Sequence, residues 1–248
     1  MRSARERLLD GIGVPEPKPF LPDPYQLEAI AALNAGYDTL VIAPTGAGKT
    51  YIAIEAIRTA AERGDRAVYT APLKALSNAK YAELKKRFEP QYLVGLLTGD
   101  RKIETNAQIV VATTEIYRNE LYSLRENSGI VVLDEFHYLA DPQRGAVWEE
   151  SVILSSRNST LLMLSASISN PQEVAEWVQS VRVKEVKIIQ VEKRPVELRL
   201  AFLHPDLGVV PLEDERGLFP EVAQFYSSGQ HRDFPARGKK FFGGGGGG

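Results

Sequence analysis

Eight consecutive residues, Ala43-Pro44-Thr45-Gly46-Ala47-Gly48-Lys49-Thr50, carry a definite chemistry in this 248-residue sequence. Gly46 and Gly48 let backbone N–H groups turn inward on phosphate oxygens, an approach that a Cβ would obstruct. Lys49 reaches the terminal phosphates of a nucleotide, and the Thr50 hydroxyl is a ligand for Mg2+. Thr45 and Ala47 complete the loop, and a helix starting at Lys49 adds its positive dipole end to the same anion site. The usual pattern begins with Gly, where this sequence has Ala43. Downstream, the apolar run Ile130 to Leu133 ends in Asp134-Glu135-Phe136-His137. A carboxylate at the carboxyl end of a buried parallel strand lies in the crevice where such sheets bind ligands. Asp134 is placed to hold Mg2+, directly or through water, and Glu135 to polarise an attacking water. An isolated Asp-Glu after a strand serves equally well as a helix cap. Paired with a phosphate loop that fixes one γ-phosphate, the two carboxylates read as hydrolytic machinery instead.

These residues need a scaffold, and the surrounding pattern supplies one. Apolar runs at Thr39 to Ala43, Ala67 to Ala71, Leu93 to Leu97, Gln108 to Ala112, Ile130 to Leu133, Leu161 to Leu164 and Val186 to Val191 are continuous rather than alternating. Such runs suit strands covered on both faces. Helical periods lie between them, at Lys49 to Glu62, Leu76 to Phe88, Glu115 to Leu124 and Pro171 to Gln179. Strict alternation of strand and helix predicts an α/β fold, a doubly wound, mostly parallel sheet. Asp23-Pro24 marks the start of a first helix, with Pro at the first helical position. The Pro-rich stretch over residues 1–19 reads as an extended lead-in, residues 20–191 as the domain, and residues 192–248 as a linker and the start of a second region. Val196 to Leu203 is predicted as one more strand, with no sustained period beyond it.

Composition narrows the function classes. At about 150 residues per domain the length corresponds to one full domain and part of another. Hydrophobic content of 44% and charged content of 25% are those of a globular protein. Thirty Lys and Arg against 32 Asp and Glu give a net charge of −2, so any polyanion must be held by local geometry and not by a basic face. The absence of Cys excludes disulfides, thiolate zinc sites and Cys nucleophiles, and three His argue against a His-rich metal centre. No apolar run reaches membrane-spanning length. The chain opens without a signal-peptide core, which predicts a cytoplasmic location, with the nucleus as the alternative. Six glycines, Gly243 to Gly248, stand at the end and belong to no packed element.

With the phosphate loop in place, Asp134-Glu135-Phe136-His137 resembles the box of a DExH-box helicase of superfamily 2, whose first RecA-like domain is a P-loop NTPase fold. Further short matches follow in the family's order. Pro72-Leu73-Lys74-Ala75-Leu76-Ser77-Asn78 resembles motif Ia, Thr98-Gly99-Asp100 the TGD element, Thr113-Thr114-Glu115 motif Ib, and Ser165-Ala166-Ser167 motif III. The stretch from Asp134 to Leu154, with HY, RG and VWEE after the box, is similar to the Ski-like branch of RNA helicases.

The resemblance implies roles for particular residues. Phe20 and Gln26 match an adenine site in which a ring stacks on the base and an amide reads its edge. Pro72, Leu73, Lys74, Thr98, Gly99, Asp100, Thr113, Thr114 and Glu115 fall where the family holds the sugar-phosphate backbone of a single strand of RNA or DNA, contacts that position without reading sequence. Ser165, Ala166 and Ser167, with His137, would couple the γ-phosphate site to that groove through hydrogen bonds. On this reading ATP and Mg2+ are the cofactors, and the protein is a monomeric motor with no membrane partner. Its work requires a second RecA-like domain that supplies arginine fingers. No GRxGR-type segment follows Arg194, so the chain by itself is expected to hydrolyse ATP weakly. Two alternatives stay open: a nucleotide-binding accessory or switch module without unwinding, and a DNA helicase of the sister Ski-like branch.

Overall fold

Strands β1 (Asp38–Ile42), β2 (Ala67–Ala71), β3 (Val94–Leu97), β5 (Ile109–Thr113) and β6 (Ile130–Leu133) are buried at every residue, as continuous apolar runs require. β7 (Thr160–Ser165) is buried apart from its first residue, and β8 (Val186–Gln190), at one edge of the sheet, is half exposed. The two-residue strand β4 (Lys102–Ile103) was not legible in the sequence, being too short and too polar to leave an apolar run. These relationships come from a computed structural model that describes residues 20–123, 128–192, 200–205, 208–214 and 217–227.

The strand order is β4-β3-β5-β2-β6-β7-β1-β8, with every pairing parallel except β3 with β4. Helices α1 (Pro24–Asn34), α2 (Lys49–Glu62), α3 (Lys74–Phe88), α4 (Thr114–Ser123), α5 (Gly145–Leu154) and α6 (Pro171–Arg182) connect the strands. Two buried clusters cover the two sheet faces. Ile52, Ile57 and Leu84 anchor one, and Leu133, Phe136, Trp148 and Leu161 the other; none of these side chains is exposed. Full burial of each such aliphatic side chain contributes about 1.5–3 kcal/mol.

Sheet order sorts the strand ends into two neighbouring groups. β6, β7 and β1 are adjacent, so the DEFH turn, Ser165-Ala166-Ser167 and the phosphate loop leave the sheet side by side. β3, β5 and β2 are also adjacent and deliver the segments at Thr98, Thr113 and Pro72 to the continuation of the same edge.

Contacts divide the chain into two units, of which residues 20–196 form the larger. The other contains the hairpin β9 (Ala201–His204) and β10 (Gly208–Pro211), the short pair β11 (Glu213–Asp214) and β12 (Gly217–Leu218), and helix α7 (Pro220–Ser227). β9 takes up the end of the strand predicted from Val196, whose first residues, like the lead-in and the glycine run, lie outside the described residues. Helix α7 stands where the sequence showed no sustained period, because its eight residues are too few to establish one.

Candidate nucleotide and nucleic-acid site

Gly46 (φ +84°) and Gly48 (φ +88°) occupy the left-handed region that L side chains avoid. Gly48 is doubly constrained, since a Cβ there would lie 2.6 Å from Gln26 Nε2. Helix α1 braces the loop from below with consecutive side chains. The Tyr25 hydroxyl donates to the Ala47 carbonyl, and Gln26 Nε2 donates to the Gly48 carbonyl at 3.0 Å. Gln26 Oε1 accepts the Asp23 N–H at 2.8 Å, so both ends of this buried amide are engaged within the protein. Phe20 is 65% exposed, its ring centroid 4.8 Å from that of Tyr51, next to Thr50. Lys49 folds onto its own loop, donating to the carbonyls of Ala43 at 2.5 Å and Pro44 at 3.2 Å. Burial lowers the Lys49 pKa, and the nearby carboxylates of Glu135 and Asp134 partly restore it.

Those carboxylates emerge from β6. The Asp134 N–H donates to the Thr70 carbonyl at 3.2 Å, extending the pairing with β2 by one residue. One Asp134 oxygen, Oδ1, accepts the N–H of Glu135 at 2.9 Å, and Oδ2 accepts the Tyr69 hydroxyl. Glu135 itself is left-handed (φ +53°), a conformation that costs a non-glycine residue about 1–3 kcal/mol and is concentrated at functional sites. His137 Nδ1 lies 3.3 Å from Glu135 Oε2 without hydrogen-bond alignment. Behind the box, His137, Tyr138 and Trp148 stack in a column, with centroid distances of 5.0 and 5.3 Å. Gly145 starts α5 in this RG segment because a Cβ there would meet the Leu139 carbonyl at 2.4 Å.

The donor set fits a divalent cation of the magnesium type. Thr50 and Asp134 offer hard oxygen ligands, and no group of three His, Cys, Asp or Glu side chains among the described residues forms a closed protein cage. Magnesium characteristically takes one or two carboxylates and completes its shell with water and phosphate oxygens.

Along the neighbouring group of strand ends, Lys74 Nζ lies 3.3 Å from Asp100 Oδ1, and the Thr98 hydroxyl donates to the same oxygen at 2.9 Å. The Thr98 bond and then the Lys74 charge lower the Asp100 pKa. Arg101 donates to Asn78 Oδ1 at 2.5 Å, so the segments resembling motif Ia and TGD are tied together. Ser77 is buried and donates to the Ala112 carbonyl, fastening α3 to β5. Thr98, Thr113 and Thr114 are themselves buried, and the Thr114 hydroxyl has no partner. Thr114 therefore presents no side chain at the surface; of these segments Leu73, Lys74, Gly99 and Asp100 are exposed, Glu115 is half-buried and Pro72 is buried. The expected bond from His137 to the motif III hydroxyls is not formed. The Ser165 hydroxyl is consumed by its own turn, donating to the Ser167 carbonyl at 2.9 Å and accepting the Ser167 N–H at 3.3 Å. Tyr25 and Tyr69 were missed by sequence reasoning, because a Tyr beside an apolar run carries no signal of which oxygen its hydroxyl will meet.

A profile of the DEAD/DEAH box helicase family matches residues 23–174, which contain every one of these segments except Phe20. The chain belongs to this family. Among similar proteins, it is 40% identical over 208 residues to the DExH-box ATP-dependent RNA helicase DExH9 of Arabidopsis thaliana, covering 82% of this chain and 21% of that one. It is 43% identical over 183 residues to the probable helicase HelY of Mycobacterium tuberculosis, covering 73% and 20%. With the antiviral helicase SKI2 of Saccharomyces cerevisiae it shares 39% over 185 residues, covering 73% and 14%. The chain thus spans about a fifth of the length of the first curated relatives it matches. The fold is shared with the Mycobacterium smegmatis helicase Lhr, solved bound to ssDNA and AMP-PNP, at a TM-score of 0.57 and 24% identity over 77% of this chain and 28% of that one.

Proposed function

We propose that this chain is the first RecA-like motor domain of an ATP-dependent RNA helicase, binding Mg-ATP at Lys49, Thr50 and Asp134 and a single strand along the Lys74 side of the same edge. One observation carries the reading: β6, β7 and β1 gather the nucleotide-binding segments, while β3, β5 and β2 gather the strand-binding ones immediately beside them. In this scheme the γ-phosphate displaces the Ala43 and Pro44 carbonyls from Lys49, whose ammonium then neutralises developing negative charge. The Glu135 carboxylate accepts the proton of the attacking water and is held at its angle by the left-handed backbone. His137 lies close enough to Glu135 to orient it. Thr50 and Asp134 would hold a magnesium ion, which would supply positive charge to neutralise the phosphate oxygens. Phe20 is exposed to stack on the base, and Gln26, released from Gly48, would read its edge.

RNA is favoured over DNA by the similarity to relatives described as RNA helicases and by the VWEE segment in α5. Unwinding requires a second RecA-like domain, whose arginine fingers are worth about 10³–10⁵ in rate. Turnover by this chain alone is accordingly slow. ATP hydrolysis by this domain joined to a second RecA-like domain should be stimulated by single-stranded RNA and abolished in Glu135→Gln with ATP binding retained. Stimulation by DNA alone would transfer the substrate to DNA, and absence of stimulation by either would favour a nucleotide-binding accessory module.

A further inference from the structure

We propose that Tyr69 is a positioning residue that fixes the Asp134 carboxylate for the divalent cation of the bound nucleotide. The inference rests on the nucleotide reading above and extends it to a side chain on the neighbouring strand.

The placement follows from sheet register. Tyr69 pairs with Val132 across β2 and β6, and Thr70 with Leu133. Side chains alternate along a strand, so Tyr69, Val132 and Asp134 point to one face. Tyr69 therefore sits diagonally behind Asp134, one pleat back. Two residues further along its own strand the same face carries only Ala71, which leaves the phenol a path toward the strand ends. Its hydroxyl meets Asp134 Oδ2, and the ring is 1% exposed.

The bond sets the angle of the carboxylate. Asp134 Oδ1 is held by the N–H of Glu135 and Oδ2 by Tyr69, so rotation about the terminal torsion breaks a bond on at least one side. Each oxygen has two lone pairs, and a single donor on each leaves the outward pair open to a cation. Partners of this kind, which orient a metal-binding carboxylate without touching the metal, are worth about 10–100-fold in metal affinity. Tyr69 is also tied to the strand-binding side, since Lys80 of α3 holds its ammonium 5.4 Å from the ring centroid and 2.7 Å from Glu83 Oε2. Helix α3, which begins at Lys74, thereby touches the ring that holds the Asp134 carboxylate, a link that does not pass through motif III.

The test is Tyr69→Phe, which removes one oxygen from a packed ring. A fluorescent ATP analogue is titrated against the 248-residue chain across a range of MgCl2 concentrations and separately in EDTA. The expected result is a Mg2+ concentration for half-maximal enhancement of binding raised about 10-fold, with affinity in EDTA and melting temperature close to the unsubstituted chain. In an Asp134→Asn background, Tyr69→Phe should add nothing, because the hydroxyl acts through that carboxylate. An unchanged Mg2+ titration, or equal weakening in EDTA, would overturn the positioning role while leaving the nucleotide reading intact. Failure of the unsubstituted chain to bind the analogue under any condition would overturn both.

Discussion

Two aspartates stand at opposite ends of the central strands, and they are treated differently. Asp38, the first residue of β1, is fully buried and surrounded by donors. Arg182 Nε lies 2.5 Å from Oδ2, the Leu161 N–H 2.8 Å from Oδ1, and Lys184 Nζ 3.5 Å from Oδ1. Arg182 directs three of its other N–H groups at the carbonyls of Ser155, Ser156 and Ser159, at 3.1, 3.2 and 2.8 Å. Asp134, just past the end of β6, has one hydroxyl, one backbone N–H and partial exposure, while Lys49 nearby is turned to the loop carbonyls. A carboxylate saturated by the protein fastens elements together, here α6 and β7 to β1. One left with open lone pairs, near an ammonium held by loop carbonyls alone, suits a ligand that arrives from solution. Both are acidic residues at strand ends; the end each occupies, its burial and its partners separate them.

The contrast can be broken at several points. Arg182→Met should be the most damaging change, costing about 3–5 kcal/mol in urea unfolding because Asp38 is left buried without its main counter-charge; a loss below 1 kcal/mol would show that Lys184 and Leu161 suffice. Lys49→Ala should lower ATP affinity about 100-fold, or about 2.7 kcal/mol, while leaving the unfolding midpoint nearly unchanged. Unaltered ATP titrations would remove Lys49 from the phosphate site. For Tyr25→Phe the expected loss is about 0.5–1.5 kcal/mol, the worth of one hydrogen bond to the Ala47 carbonyl. It should appear as a few-fold weaker ATP binding, and identical affinity would mean that Gln26 alone braces the loop. Asp134→Asn should change stability least, by less than about 1 kcal/mol, since the Asn carbonyl can still accept from Tyr69. A loss as large as that of Arg182→Met would erase the distinction between the two aspartates.

The legibility of the molecule divides along similar lines. Buried strands were visible as apolar runs to within one or two residues, and Lys49–Glu62 and Ile130–Leu133 coincide with the predicted spans. The phosphate loop and the box were visible because glycine conformation, a strand end and a helix start are all local. Helix α3 begins at Lys74 and not Leu76, because the extended Leu73 at its cap lets the first turn form on a segment with little apolar periodicity. Thr98 and Thr114 illustrate what a motif cannot convey. Both lie in segments resembling strand-binding motifs, yet their hydroxyls point inward, one to Asp100 and the other to no partner. A three-residue match states which residues are present and not which face they occupy.

The sequence by itself determined the alternation of strand and helix, the glycine-lined anion site and the paired carboxylates, because each depends on residues within one turn or one strand of another. Strand order was decided only by tertiary structure, through pairings between segments distant along the chain. Chain order runs phosphate loop, Ia, TGD, Ib, box, III; the sheet re-sorts these into two adjoining groups on one edge, the segments proposed for the nucleotide and those proposed for the strand. The same non-local pairing brings Tyr69 to Asp134 and Asp38 to Arg182. Hydrogen bonds follow proximity in space, which is why an aspartate's identity was written in the chain and its surroundings were decided by what folded against it.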